Sequence, residues 1–67
     1  MPQIDVTIAA GRTTDQIRVL IHEVHEAAVR ALSARPETVR VAVREVPRTH
    51  LATGDVTLAE MDAAGGS

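Results

Sequence analysis

The sequence predicts an α/β (α+β) chain: a single β-α-β unit with parallel strands and a short C-terminal hairpin. Three observations carry that prediction. Apolar and polar residues alternate strictly over 3–8, apolar residues recur every three or four positions over 17–32, and a second alternating run fills 38–46. A strand, a helix and a strand joined by short connections call for a right-handed crossover, which sets the two strands parallel.

In the first run Ile4, Val6 and Ile8 share one face, and Gln3, Asp5 and Thr7 share the other. Ala9-Ala10-Gly11-Arg12 reads as a turn. Thr13 followed by Gln16 fits a capping box that satisfies free backbone N–H groups at a helix start. Asp15 suits the positive end of the helix dipole. Ile17, Leu20, Ile21, Val24, Ala27, Ala28, Ala31 and Leu32 then form one apolar stripe, predicting an amphipathic helix. Pro36 disfavours helical geometry at Arg35, so the helix is expected to end by about Ala34.

The second strand is expected over Thr38–Val46, with Val39, Val41 and Val43 on one face and Arg40, Ala42 and Arg44 on the other; Pro47 ends it or places it at an edge. Thr53-Gly54-Asp55 reads as a turn and Val56-Thr57-Leu58 as a short strand. One domain over 1–62 and a disordered end over 63–67 complete the expectation.

Size sets a constraint on this arrangement. A chain of 67 residues without Phe, Trp, Tyr or Cys has neither large core side chains nor disulfide staples. Two strands under one helix do not make a self-sufficient sheet. Self-association through the sheet is therefore expected, since small scaffolds often find their missing burial in oligomers.

A net charge of −2 argues against a nucleic-acid partner, which would favour a basic face. The longest uninterrupted apolar stretches are too short to span a membrane, so a cytoplasmic protein is expected. All seven cations are arginine, which is compatible with carboxylate recognition and equally with a compositional bias.

Pro2 stands directly behind Met1 at the head of the first strand. Removal of the methionine would leave a secondary amine with a fixed position. An α-amino group titrates at about 8, against about 10.4 for lysine, and burial or a neighbouring cation lowers it further. A neutral, positioned amine is a general base. Retention of Met1 would make Pro2 an internal amide with no basic nitrogen.

Met1-Pro2 opening a strand, Gly11-Arg12-Thr13 before the helix and Val39-Arg40-Val41 in the second strand together resemble the 4-oxalocrotonate tautomerase family. The resemblance covers essentially residues 1–51. It implies that the proline shuttles a proton between positions of an enol or dienol and its conjugated ketone. Arg12 and Arg40 would bind the substrate's carboxylates and polarise its carbonyl oxygen. It further implies sites shared between subunits, commonly in a hexamer, with a dimer as the smaller alternative, and no metal or organic cofactor. Proton abstraction beside a carbonyl builds charge on oxygen, which a fixed guanidinium stabilises. Paired hydrogen bonds from a second arginine orient the carboxylate-bearing substrate.

Leu51 stands where the family's best-known members carry a Phe beside the proline, which leaves the substrate open. Without the resemblance, Arg12 reads as an exposed turn residue and Arg40 as a solvated strand position. Two other functions fit the same scaffold. In one, a protonated Pro2 serves a hydratase or dehalogenase of unsaturated or 3-halo acids, with Asp5 or Asp55 activating water. The other is a catalytically silent oligomeric binding module.

His22 and His25 lack the i, i+4 spacing of a zinc helix. Arg18, His22, Glu26 and Arg30 instead suggest a solvated ion-pair ladder. His50 reads first as a surface histidine and second as a minor substrate contact; Arg44 could add positive potential to the site or equally pair with Glu45 or Glu37 of a neighbouring chain. Val19 and Val29, off the main stripe, are candidates for subunit contacts.

Overall fold

In the computed structural model, which describes residues 1–65, the chain runs β1 (Gln3–Ala9), α1 (Thr14–Leu32), β2 (Arg40–Val46), β3 (Ala52–Thr53), β4 (Val56–Thr57) and α2 (Leu58–Ala63). The β-α-β unit and the C-terminal hairpin are both present. β1 and β2 pair in parallel from Gln3↔Arg40 to Ala9↔Val46. Their half-buried face carries Ile4, Val6 and Ile8 with Val41 and Val43. These are β-branched residues, suited to a pleated surface beneath a helix.

The start of α1 has the expected chemistry. Thr13 Oγ1 accepts from Gln16 N at 3.1 Å, and Thr13 N donates to Gln16 Oε1 at 2.9 Å. Ile17, Leu20, Ile21, Val24 and Ala28 are half-buried, as the stripe requires. Ala27, Ala31 and Leu32 are exposed instead, Leu32 to 59%. Geometry explains the last turn: a 19-residue helix extends about 28 Å, whereas a seven-residue strand covers about 23 Å. Ser33 closes the helix in the left-handed region at φ 50, and Ala34 N donates back to Val29 O at 3.3 Å.

β2 starts two residues later than the alternation suggested. Pro36–Thr38 form a single 3-10 turn, with Thr38 Oγ1 donating to Arg35 O at 2.7 Å, so strand geometry is delayed to Arg40. At the other end, β3 and β4 pair antiparallel across Gly54-Asp55, with Gly54 at φ 63. Leu58 leaves strand geometry, contrary to the expected Val56-Thr57-Leu58 strand. A second capping box, Thr57 with Glu60, starts α2 there. Ala63 closes α2 and Gly65 N donates to Asp62 O at 3.0 Å. The part of the expected disordered end at 66–67 lies outside the described residues.

Among the described residues no side chain is fully buried. The chain exposes 4987 Å², whereas a folded monomer of its mass would expose about 4,100 Å². Its radius of gyration is 15.1 Å, against about 11 Å for a compact domain of this length. No helix of the described residues is long and apolar enough to cross a membrane.

Candidate active site

Parallel pairing decides where the candidate residues fall. β1 and β2 both begin at the same end of the sheet, so Pro2 and Arg40 are neighbours: Arg40 N donates to Pro2 O at 3.0 Å. Pro2 is half-buried, while Met1 ahead of it is 87% exposed. Arg40 lies on the polar face of the sheet with Gln3, Asp5, Thr7, Ala42 and Arg44. Arg44 is four residues along the same face, paired with Thr7. Asp5 accepts from Gln3 Nε2 at 3.3 Å, and Asp55 is exposed in the hairpin turn.

Arg12 lies past the far end of β1. Pro2 and Ala9 are separated by seven residue steps, roughly 23 Å of extended chain, and the turn carries Arg12 beyond that. The positive φ of Gly11, 125°, lets the backbone turn out of the sheet directly before Arg12. Leu51 follows β2 through the Arg48–His50 turn, and so belongs to the Arg12 end. It is half-buried, and its carbonyl accepts from Leu58 N at 2.9 Å. One chain therefore divides the candidates into two sets, Pro2 with Arg40 and Arg12 with Leu51.

At the second end an open groove of about 580 Å³ is lined by Ile8, Ala9, Ala10, Gly11, Arg12 and Arg48. It does not include Pro2. Arg48 is a residue the sequence reading missed, because it sits in an irregular segment with no periodicity. Its Nε donates to Asp62 Oδ2 at 2.6 Å and its NH2 to Asp62 Oδ1 at 2.9 Å. This fork raises the Arg48 guanidinium further and holds the Asp62 carboxyl below its usual value, chiefly through those hydrogen bonds. It joins the turn after β2 to α2, bridging the hairpin. Arg12 makes no ion pair within 4 Å among the described residues.

The helix candidates take ordinary positions. His25 is half-buried and its Nε2 lies 2.8 Å from Pro36 O, tying α1 to the turn before β2. The expected ladder of Arg18, His22, Glu26 and Arg30 makes no ion pair within 4 Å among the described residues; Glu26 lies 3.9 Å from His25 instead. Exposed pairs gain little against the side-chain entropy they cost. His50 is exposed, with Nδ1 3.4 Å from Thr49 Oγ1. Val19 is 59% exposed on the outer side of α1, while Val29 is half-buried.

Comparison with known proteins bears on the family and the fold. Residues 2–61 match the family described as tautomerase enzyme. A 2-hydroxymuconate tautomerase of Pseudomonas fluorescens is 43% identical over 54 residues, covering 81% of this chain and 86% of that protein. A 4-oxalocrotonate tautomerase isozyme structure from Methylibium petroleiphilum superposes with a TM-score of 0.90 at 35% identity, covering 94% of this chain and 98% of the other. A heterohexamer 4-oxalocrotonate tautomerase from Chloroflexus aurantiacus superposes with a TM-score of 0.87 at 33% identity, covering 91% and 98%.

Proposed function

From the premise that this chain belongs to the tautomerase family, an isomerase enzyme family, we propose that it interconverts a small 2-hydroxy-enoate and its 2-oxo acid. Pro2, freed by removal of Met1, is the general base. Arg40 and Arg12 bind the carboxylate and carbonyl groups, and Leu51 supplies an apolar wall. The similarity to a 2-hydroxymuconate tautomerase supports the substrate class.

In this reaction a proton leaves the substrate for the Pro2 nitrogen, and negative charge gathers on the substrate oxygen. A guanidinium already aimed at that oxygen stabilises the charge as it develops. The same proton then returns to another position of the conjugated chain, so the step needs no outside acid. General-base participation of this kind is worth about 10²–10⁴-fold in rate.

The observation that carries the proposal is the parallel register. It seats Arg40 against Pro2 through the 3.0 Å backbone bond and sends Arg12 to the other end of the strand. A site using both arginines then takes Arg12 from another copy. The excess exposed surface and the hexameric assembly of the Chloroflexus protein support such self-association, as a hexamer or a dimer.

The test is a UV assay of 2-hydroxymuconate and phenylenolpyruvate with the protein that begins at Pro2 and with an amino-terminally extended form whose Pro2 nitrogen is an amide, intact mass establishing each amino terminus. The expected loss in kcat is about 10²–10⁴-fold. Equal rates for the two proteins on both substrates would remove Pro2 from the mechanism.

A further inference from the structure

The groove at the Arg12 end holds two guanidinium groups that differ in state. Arg12 makes no ion pair among the described residues, whereas one edge of the Arg48 guanidinium, its Nε and one terminal nitrogen, is engaged by Asp62 at 2.6 and 2.9 Å. A planar guanidinium held along its Nε edge by the two oxygens of one carboxylate has a bidentate recognition edge occupied. The rest of the lining is aliphatic side chain and backbone, from Ile8, Ala9, Ala10 and Gly11. Pairing leaves the groove with one free guanidinium and a single net positive charge.

We propose that Arg48 is a specificity-determining residue whose charge Asp62 masks, so that the groove admits one carboxylate, held by Arg12, on an apolar stem. The inference rests on the reading of this groove as part of the tautomerase substrate site. It adds that the Arg48–Asp62 pair sets how much anionic charge the far end of the substrate carries. Arg48 and Asp62 are each partly exposed, with 43% and 42% of their side-chain surface open. Substitution of either changes the groove's charge without cutting into a packed core.

The sign of the response separates this role from a purely structural clip. Equilibrium binding of muconate, an unreactive six-carbon dicarboxylate, is measured by calorimetry on wild type, Arg48→Gln, Asp62→Asn and the double variant. Asp62→Asn frees the Arg48 fork and is expected to tighten muconate about twofold to fivefold, the worth of a part-exposed ion pair. Arg48→Gln leaves the Asp62 carboxylate unpaired and is expected to weaken muconate by a similar factor. The double variant returns close to wild type, and the uncharged diamide of muconate responds to none of the changes.

Two single variants that both weaken muconate, or a diamide that moves in parallel with it, would show a clip that only holds the fold and would overturn the assignment. Absence of muconate binding to wild type would overturn it together with the carboxylate reading of the groove. A failure of Pro2 as base is told apart from either, because it changes turnover and leaves these affinities in place.

Discussion

If Pro2 and Arg12 act in one site, subunits carrying different lesions should repair one another. In a single chain the two residues are separated by the whole of β1, roughly 23 Å. Groups that cooperate on one small substrate must reach near-attack distances of about 3–3.5 Å. An amino-terminal extension that makes the Pro2 nitrogen an amide removes the base and Arg12→Ala removes a substrate anchor, so each homogeneous protein is expected to be nearly inactive. Mixed in equal amounts by unfolding and refolding together, they assemble sites at random. A site is complete when its proline comes from the Arg12→Ala chain and its arginine from the extended chain, which holds for about one quarter of sites in a symmetric assembly. The UV assay should then recover about a quarter of wild-type kcat, far above the mean of the two parents. A mixture no more active than that mean, with exchange confirmed by mass spectrometry of the intact assemblies, would refute a shared site.

Other outcomes follow from the same structure. If the excess surface is covered by other copies, unfolding to monomers should depend on concentration. A tenfold dilution should lower Tm by about 5–9 °C for a hexamer and about 3–6 °C for a dimer, since tenfold corresponds to about 1.4 kcal/mol shared among protomers; a constant Tm would contradict association. Thr13→Ala removes the side-chain half of the α1 capping box and should cost about 1 kcal/mol, while Thr13→Ser should restore it, as read by thermal denaturation followed by circular dichroism. The Asp62 carboxyl is held below its ordinary 3.8 by Arg48, so its contribution is present above that value and is lost as pH falls through the lower folded one. Hydrogen exchange in α2 should therefore quicken in that acid window, and Asp62→Asn should remove the pH dependence.

The regular part of this chain was legible because periodicity reports burial. Ile4, Val6 and Ile8 marked the covered face of β1, and Thr13 with Gln16 marked the start of α1. The failures share a cause, which is local chemistry overriding a pattern. Thr38 and Val39 continue the alternation of β2, yet the Pro36 turn takes Thr38 out of strand geometry. The α2 helix is six residues long, too short to display a period, although Thr57-x-x-Glu60 repeats the capping signature of α1. Arg12 and Arg40 could be named from their motifs, and their separation follows from parallel pairing alone. The Arg48–Asp62 fork joins positions 14 apart through an irregular segment, so nothing short of coordinates brings them together.

The exposure of Met1 carries a practical consequence for preparing the protein. The residue is 87% exposed, and the bond that fixes Pro2 in the sheet uses the proline carbonyl, not its nitrogen. A purification tag fused ahead of Met1 would therefore leave β1 paired and the chain folded. On the proposed mechanism it would also lock the proline nitrogen into an amide and leave the folded protein without its base. On that mechanism affinity handles belong behind α2.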